Sequence, residues 1–271
     1  MTASVIIPYF NASRTIRRTL DSVYAQSLPA GEVIVVDDGS TPPEAAILLD
    51  LRNHFGFRLM RKENGGVSSA RNAGARAAKE DQLAFLDSDD IWKPHYLATL
   101  TPYFDDPATG LVFAQLEWID ENDQPIGVTN KLVPNPSLEK LLLGNFIGSG
   151  SNFIIRQDCF ESIGGFDNSP LGAEDYLLAI RFYLAGKWHA IQAPEPLVLY
   201  RRSRHSKSRH SMNMLHSLHW IYRETTKKLT VRQRMLFRFG IIKMTVALNT
   251  VEPRRLLGNT LRHFKAIRQS R

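Results

Sequence analysis

The sequence predicts an α/β fold, in which helices flank a mostly parallel central sheet and a basic helical extension follows at the C-terminus. Apolar runs such as Ser4–Pro8 and Val33–Val36 lack the polar alternation of half-exposed strands, which is typical of parallel strands buried on both faces. Segments with helical spacing separate these runs, so strand–helix–strand units repeat along the chain. Two of the runs end in clustered aspartates, at Asp37–Asp38 and Asp87–Asp90.

The first hundred residues alternate between strands and helices. We predict strands at residues 4–8, 32–36, 57–60 and 82–87, and helices after residue 11, at 45–55, at 67–78 and at roughly 92–100. Asn11 or Ser13 suits the N-cap of the first helix, and Pro29 ends it. The small residues of 67–78 allow that helix to lie close to the sheet or to a ligand.

The second half of the chain is expected to extend the sheet. Strands are predicted at 111–118, 152–155, 188–191 and 197–200, with a polar loop at 119–136 and a short helix at 138–143. A longer helix opens near Glu174 and Asp175, and acids in a first turn favour the helix dipole without needing any other role. Three further helices are predicted at 212–229, 231–249 and 253–267.

Asp87 and Asp89 are the first candidates for a functional site. Successive residues of a strand point to opposite faces, so aspartates two positions apart project the same way and can share one divalent cation. In open α/β sheets, ligands collect where parallel strands end at one common edge. The alternative is that Asp87–Asp90 turns the chain and caps a helix that starts near Ile91. Asp90 need not bind the cation.

Composition narrows the class of protein. A chain of 271 residues, 43% of them hydrophobic, is long enough for one large or two small domains. The single cysteine, Cys159, excludes a disulfide framework and suits a reducing compartment. Because Met1 leads directly into a strand pattern, no signal peptide is expected. The longest uncharged run, Leu141–Ile155, is too short and too polar to span a bilayer.

Six motifs occur in a fixed order: Ser4–Asn11, Val35–Thr41, Asn64–Gly66 with Ala70–Asn72, Phe85–Asp90, Gly164–Asp167 and Glu174–Asp175. Each is weak alone, but together they strongly resemble glycosyltransferase family 2, over about residues 3–205. The resemblance implies a GT-A fold with a Rossmann-like sheet, and an inverting transferase that uses a nucleoside diphosphate sugar, most often a UDP-sugar. It also implies a setting in bacterial cell-surface polysaccharide, capsule or lipopolysaccharide biosynthesis.

The resemblance assigns the donor-binding roles to residues at the motif positions. Asp38 is similar to the acid that recognises the nucleobase, and Pro8 and Arg71 match residues that line the nucleotide pocket. Asp87–Asp89 is similar to the family's Asp-x-Asp motif, in which Asp87 would face the ribose or the sugar and Asp89 would bind the metal.

The resemblance also implies the catalytic groups. Asp175 matches the base that takes the proton of the acceptor hydroxyl, and Mg²⁺ or Mn²⁺ is the expected cofactor because it neutralises the diphosphate leaving group. His205 resembles a metal-contacting histidine that some relatives carry just after the last strand. In this chain, Ser203 and Arg204 interrupt the usual Tyr-Arg-Arg-His order. His210 therefore competes with His205 for the metal-contacting role.

The resemblance divides the chain into a catalytic domain at 1–205 and a basic helical extension at 206–271. Within the domain, residues 1–105 form the expected nucleotide-sugar-binding half and residues 106–205 the acceptor-binding half. The expected partners are the donor and a glycan or lipid-linked acceptor. The expected location is the cytoplasm.

The charge of the chain is unevenly placed. Residues 201–271 hold 18 basic and 2 acidic side chains, for a net charge of +16, whereas residues 1–200 carry a net −9. A basic amphipathic helix in this tail can lie on an anionic membrane surface, here the inner face of the cell membrane. It can equally pack its apolar residues on the catalytic domain and leave its charges in solvent. Both interpretations stay open.

Two other classes of protein are less consistent with the sequence. A nucleotidyltransferase would place a glycine-rich basic loop after the first strand, but Pro8–Ser13 contains no glycine. A non-catalytic nucleotide-binding or nucleic-acid-binding protein could use the basic tail. The acidic body would repel nucleic-acid phosphates, so no nucleic-acid partner is expected.

Overall fold

The protein is built around one mixed sheet, seen in a computed structural model that describes residues 2–128, 132–169, 172–202 and 211–251. Within these residues the strands are β1 Ser4–Tyr9, β2 Glu32–Asp37, β3 Arg58–Arg61, β4 Gln82–Phe85, β5 Ile91–Trp92, β6 Thr109–Ile119, β7 Pro125–Val128, β8 Phe153–Arg156 and β9 His189–Arg201. The α-helices are α1 Ile16–Tyr24, α2 Pro42–Phe55, α3 Val67–Ala77, α4 Tyr96–Leu100, α5 Leu138–Leu142, α6 Gln157–Ser162, α7 Glu174–Ala185, α8 Ser211–Thr225 and α9 Val231–Val251.

The sheet has a parallel half and a mixed half. Its strand order is β3-β2-β1-β4-β8-β6-β9-β5, and β7 pairs with β6. Strands β1 to β4 run parallel to one another, as predicted. Strand β8 is antiparallel to β4 and β6, whereas β9 is parallel to β6. The predicted α/β class with a Rossmann-like sheet is confirmed.

Alternate strand residues enter two cores, one on each face of the sheet. On β4, Leu83 and Phe85 join the core that includes helices α5 to α9, whereas Ala84 joins the core that includes α1, α2 and α4. This alternation follows from the pleat of an extended chain. Burial on both faces explains why the parallel strands read as continuous apolar runs.

Helix α3 lies very close to the sheet, as its small residues predicted. A Cβ atom added at Gly74 would lie 2.4 Å from Cγ2 of Ile6, a distance that no side chain tolerates without a shift. Ala70, one turn earlier, packs with Ile34 and Val36. The close approach brings the first turns of α3 to the edge where β1, β2 and β4 end.

The alternative that Asp87–Asp90 caps a helix near Ile91 is wrong, and the helix predicted from roughly residue 92 starts later. Residues Ile91–Trp92 form β5, which pairs with Val198–Leu199 of β9, and the following helix begins only at Tyr96. Asp90 binds this distant strand, because its Oδ1 accepts the backbone N–H of Arg201 at 2.9 Å. A long-range strand pairing therefore decides the local structure here.

The mixed half of the sheet differs from prediction in two further places. Strand β7 lies inside the predicted loop 119–136 and forms a hairpin with β6. The strands predicted at 188–191 and 197–200 are one strand, β9. Its register with β6 shifts between Gln192 and Pro196, because the prolines at 194 and 196 have no N–H for the ladder. The gap between the two predicted strands is thus an irregularity within one strand.

Helix α1 starts later than predicted, at Ile16, and neither proposed cap acts as one. Asn11 adopts a positive φ of 49° and its Oδ1 accepts the N–H of Thr41 at 3.0 Å. Ser13 donates its hydroxyl to Glu44 at 2.8 Å. Both residues therefore tie the loop after β1 to the start of α2.

Helices α8 and α9 pack on the rest of the chain through one face. Leu218 and Tyr222 of α8 and Phe237 and Ile241 of α9 belong to the same core as α5 and α7. Gly240 lies where α9 crosses α5, and a Cβ there would be 2.0 Å from the carbonyl oxygen of Leu142. The helix predicted at 253–267 lies outside the described residues. Within the described part of the chain, no helix is both long and apolar enough to cross a membrane.

Candidate active site

An open cleft of about 1240 Å³ lies at the edge where β1, β2 and β4 end. Six of the seven residues that the resemblance assigned line this cleft: Pro8, Asp38, Arg71, Asp87, Asp89 and Asp175. The seventh, His205, lies outside the described residues. Residues separated by as many as 167 positions therefore meet in one place.

Asp38 orders the loop in front of α3. Its Oδ1 accepts hydrogen bonds from Lys62 Nζ at 2.6 Å and from the N–H of Gly65 at 3.0 Å, and its Oδ2 accepts the N–H of Gly66 at 2.8 Å. A carboxylate has about four lone-pair sites, so Asp38 keeps room for one further donor. Asp37 does not line the cleft and instead closes the turn that follows β2.

Arg71 connects two parts of the cleft. Its guanidinium is 3% exposed, forms an ion pair with Asp87 and lies 3.4 Å from Oε1 of Glu174. Its centre also lies 5.0 Å from the ring centroid of Phe166. Burial alone would lower the pKa of Arg71, but the carboxylates of Asp87 and Glu174 raise it above its ordinary value. Arg71 therefore stays charged and holds the turn after β4 against the start of α7.

The turn Asp87–Asp90 is held from two sides. The N–H of Asp87 donates to Oγ of Ser151 at 2.9 Å. From the other side, Arg201 of β9 donates through Nε to the carbonyl oxygen of Asp89 at 2.8 Å and through its backbone N–H to Asp90. These bonds leave the carboxylates of Asp87 and Asp89 at the cleft wall while Asp90 is buried behind them.

The chemistry of this turn fits a divalent cation. Asp89 is exposed at the cleft wall, and the desolvation of its carboxyl group by the surrounding protein, followed by the charge of Asp87, raises its pKa to about 6. Two carboxylates with this mutual repulsion suit a cation, and Mg²⁺ commonly uses one or two carboxylates together with substrate phosphates. Among the described residues, no group of three or more His, Cys, Asp and Glu side chains could hold a metal ion. Donor phosphates would supply further ligands in such a site.

Asp175 lies in the first turn of α7, at the other side of the cleft. Its Oδ2 accepts a hydrogen bond from Nδ2 of Asn145 at 3.2 Å. Burial and, next, the charge of Glu174 raise its pKa to about 6. The group is thus ionised at neutral pH and is a stronger base than an ordinary aspartate.

The sequence analysis missed Asn145, which lies in the loop between α5 and β8. Its Oδ1 accepts the backbone N–H groups of Ile147 and Gly148, at 3.1 and 3.3 Å, so its amide nitrogen faces Asp175. A lone asparagine in a loop carries no signal of such a contact. The neighbour of Asp175 could be found only from the fold.

The cleft also has an apolar wall, which the sequence analysis did not predict. Met214 and Leu218 of α8 and Met244 of α9 line it, and all three pack in or against the core that includes Tyr176, the residue after Asp175. The acids that follow β2 and β4 lie among polar residues instead. The cleft therefore combines a polar, acidic part with an apolar part contributed by the C-terminal helices.

Comparison with known families decides the class of the protein. Residues 4–164, well over half of the chain, match the family described as glycosyl transferase family 2. The chain belongs to glycosyltransferase family 2. The match ends before α7, so the assignment of Asp175 rests on the sequence resemblance and on the geometry of the cleft.

Several curated proteins resemble this family 2 chain. An uncharacterized glycosyltransferase of Haemophilus influenzae is 28% identical over 239 residues, covering 86% of this chain and 80% of that protein. A second, alr2836 of Nostoc sp., is 32% identical over 167 residues, and the matched region spans 61% of this chain and only 50% of the Nostoc protein. The succinoglycan biosynthesis protein ExoW of Rhizobium meliloti is 43% identical over 99 residues, which is 35% of this chain and 31% of ExoW.

Solved structures share the architecture. The crystal structure of S. aureus TarS 1-349 superposes with a TM-score of 0.73 at 19% identity, over 94% of this chain and 76% of that one. The structure of its complex with UDP-GlcNAc superposes with a TM-score of 0.70 at 20% identity, over 93% of this chain and 73% of that one. The structure of the mannosyltransferase PcManGT from Pyrobaculum calidifontis, in complex with GDP-Man and Mn²⁺, superposes with a TM-score of 0.65 at 18% identity. The match covers 98% of this chain and 79% of that one. The fold is the GT-A fold, as predicted.

Proposed function

We propose that this family 2 protein transfers a sugar from a nucleoside diphosphate sugar to an acceptor hydroxyl, with inversion at the anomeric carbon. One observation carries the proposal: the acids expected to bind the donor and the acid expected to act as base line the same cleft. A UDP-sugar is the first donor to test, because TarS, which shares the fold, was solved with UDP and with UDP-GlcNAc. Family membership favours this function over nucleotidyl transfer or a binding role.

The donor would be held by the polar part of the cleft. Asp38 keeps one lone-pair site, which can accept an N–H of the nucleobase, and its three protein hydrogen bonds fix its orientation beforehand. Pro8 lies beside it at the cleft wall. Asp87, fixed by Arg71, would accept hydroxyl groups of the ribose or the sugar. Pre-ordered groups of this kind lower the entropic cost of binding.

Asp89 is the residue that we assign to the metal, with Asp87 beside it. Mg²⁺ or Mn²⁺ bound there would neutralise the charge that develops on the diphosphate as it leaves. The complex of PcManGT with Mn²⁺ makes Mn²⁺ the first ion to test. The role proposed for His205 falls outside the described residues and remains a prediction from the sequence.

Asp175 is the proposed general base. Its carboxylate takes the proton of the acceptor hydroxyl while the acceptor oxygen forms a bond to the anomeric carbon, and the bond from that carbon to the diphosphate oxygen breaks on the opposite face. The nucleoside diphosphate leaves with the bonding electron pair, so one displacement inverts the configuration. The hydrogen bond from Asn145 orients the carboxylate for this step.

The acceptor is proposed to be a lipid-linked glycan at the inner face of the membrane, in the assembly of a cell-surface polysaccharide. The apolar wall of Met214, Leu218 and Met244 lies in the same cleft as Asp175 and suits a substrate that carries apolar groups as well as its reacting hydroxyl. The similarity to ExoW, named for succinoglycan biosynthesis, supports the polysaccharide setting.

Donor turnover with analysis of the product tests the proposed function. The full-length protein is incubated with Mn²⁺, labelled UDP-sugars and octyl glycosides as acceptors, and the anomeric configuration of the product is measured by NMR. We expect a product of configuration opposite to that of the donor. A product of the same configuration would refute inversion, and donor turnover no higher than in Asp175→Asn would refute the catalytic assignment.

A further inference from the structure

Helix α9 presents a line of apolar side chains to solvent, which we name the α9 stripe. Its members are Val231, Met235, Phe239, Ile242 and Val246, with exposed fractions of 72, 66, 60, 38 and 56%. Their spacing of four, four, three and four residues places them within an arc of about 80° on one side of the helix. Scattered apolar residues are common on surfaces, but a continuous line at helical spacing is not.

The α9 stripe is not the face that anchors the helix. The opposite face carries Phe237 and Ile241, which are 0 and 4% exposed. The ring of Phe237 packs edge-on against Tyr176 at 5.9 Å and Tyr222 at 5.5 Å between centroids. Gln233 also donates to Glu139 of α5 at 3.0 Å. The fold thus holds α9 in place and directs the α9 stripe away from the core.

Basic residues border the α9 stripe on both sides. On the helical projection, Arg232 and Lys243 lie beyond one edge, and Arg234 and Arg238 lie at or beyond the other. All four are exposed. Residues 231–251 contain no acidic residue, so nothing on the helix offsets their charge. Arg238 is held by a hydrogen bond from its Nε to the hydroxyl of Tyr222 at 2.7 Å.

We infer that the α9 stripe binds the surface of an anionic lipid bilayer. Apolar side chains enter the boundary between headgroups and acyl chains, while the bordering arginine and lysine side chains meet lipid phosphates. A second copy of the chain fits the surface less well. A two-fold contact would place this basic face against its own copy and bring like charges together without compensation.

This inference deepens the proposed function and rests on it for its biological meaning. Met244 of α9 lines the cleft and lies on the side of the helix opposite the α9 stripe, because residues two positions apart, as Met244 is from Ile242 and from Val246, point to opposite sides of an α-helix. A bilayer bound to the stripe would therefore lie one helix diameter, roughly 10 Å, from the apolar wall of the cleft. A lipid-linked acceptor whose glycan extends over that distance could reach the cleft while its lipid stays in the membrane.

Vesicle flotation of the full-length protein tests the inference directly. Vesicles contain either phosphatidylcholine alone or equal parts of phosphatidylcholine and phosphatidylglycerol, at low ionic strength. We expect the wild type to float with the anionic vesicles and the double variant Met235→Ser/Phe239→Ser to bind them at least about tenfold more weakly. The matched control is Ile47→Ser/Leu49→Ser on α2, whose targets are 40 and 48% exposed and which should float like the wild type.

Four results would overturn the inference. They are no flotation of the wild type with anionic vesicles, unchanged flotation of the α9 double variant, equal loss in the α2 control, and binding to neutral vesicles as strong as binding to anionic ones. A dimer seen by analytical ultracentrifugation, lost in the α9 variant and accompanied by no flotation of the wild type, would assign the stripe to a second copy instead. Stabilisation by UDP and Mn²⁺, measured on the same samples, tests the proposed function separately, because neither double variant touches the cleft.

Discussion

The two sides of the cleft are built in different ways. On the donor side, Asp38 directly follows β2 and Asp87 lies two residues after β4, so each acid is placed mainly by the strand that precedes it. On the base side, Asp175 lies on helix α7. The residue after it, Tyr176, packs against Phe237 of α9. On the donor side, Ser151 and Arg201 then hold the turn after β4, whereas on the base side the helix itself packs through contacts between distant segments. Changes in the C-terminal helices should disturb catalysis before they disturb donor binding.

Arg71 is the point where the two sides meet. It pairs with Asp87 of the donor side and approaches Glu174, the residue before the proposed base. Because all three groups are largely buried, the pairs are poorly screened by solvent. We therefore expect the position of Asp175 to respond to changes at the donor side through this arginine.

The largest expected effect is on the base side alone. Asp175→Asn should reduce turnover by about 10² to 10⁴-fold, because the amide cannot accept the proton of the acceptor hydroxyl. Donor binding should stay within about twofold of the wild type, since the donor-side acids are untouched and the amide oxygen can still accept from Asn145. Steady-state kinetics and calorimetric titration with UDP measure the two quantities. Asp50→Asn on the exposed face of α2 is the control and should leave both unchanged, whereas wild-type turnover in Asp175→Asn would remove this residue from the mechanism.

Arg71→Met tests the connection between the sides. Removing one partner from a buried ion pair typically costs about 3 to 5 kcal/mol, because the remaining charges stay buried without compensation. We expect a loss of that size in the free energy of unfolding, measured with urea. The control is Arg76→Met, five residues later on α3 and exposed, which should cost less than about 0.5 kcal/mol. Equal stability of the two variants would show that the Arg71 pairs do not hold the cleft together.

Gly240→Ala tests the dependence of the base side on α9. Alanine would favour the helix by about 1 kcal/mol on propensity, but its Cβ would meet the carbonyl oxygen of Leu142 at 2.0 Å. Overpacking usually costs about 1 to 3 kcal/mol, so we expect net destabilisation and lower turnover with UDP binding retained. Gly144→Ala, where an added Cβ meets nothing within 4 Å, is the control. A stabilised Gly240→Ala protein would contradict the close packing of α9 on α5.

The smallest expected effect is a pH dependence. Asp175 acts when deprotonated, and burial followed by Glu174 raises its pKa to about 6, while Asn145 and Arg71 oppose the rise. Turnover should therefore be level above pH 6 and fall about tenfold for each pH unit below it, whereas an ordinary aspartate would place the fall near pH 4. A rate profile from pH 4.5 to 8, at saturating donor, measures this. Constant turnover down to pH 4.5 would show that the pKa of the base is not raised.

The difference between the donor side and the base side also explains which features could be predicted from the sequence. The parallel half repeats a strand, a helix and a strand with short connections, so the apolar runs and the acids after them locate the donor side. Asp90 shows the limit of such local inference. Its position suits a helix cap, but its carboxylate binds the backbone of Arg201, 111 residues away.

The contacts of the base side could not be predicted from the sequence and were found only from the fold. Asn145 contacts Asp175 only because the loop after α5 folds over the start of α7. The helical pattern of 231–249 predicted a helix, but it did not indicate which apolar residues face inward. Phe237 and Phe239 are both apolar and lie two positions apart, yet the first is fully buried and the second is 60% exposed. Partners that are distant in sequence decide this difference, and periodicity does not contain them.

The most direct test of the central claim is a thermal shift with UDP, GDP, dTDP, CDP and ADP, each with and without Mn²⁺, on the wild type and on Asp89→Ala. A ligand at 100 times its dissociation constant adds about 2.7 kcal/mol of stability, which is readily detected. We predict that one nucleotide, UDP first, raises the melting temperature of the wild type only with Mn²⁺, and that Asp89→Ala loses this response. Absence of stabilisation by every nucleotide, or an equal shift in Asp89→Ala, would contradict the assignment of this cleft to a metal-assisted donor site.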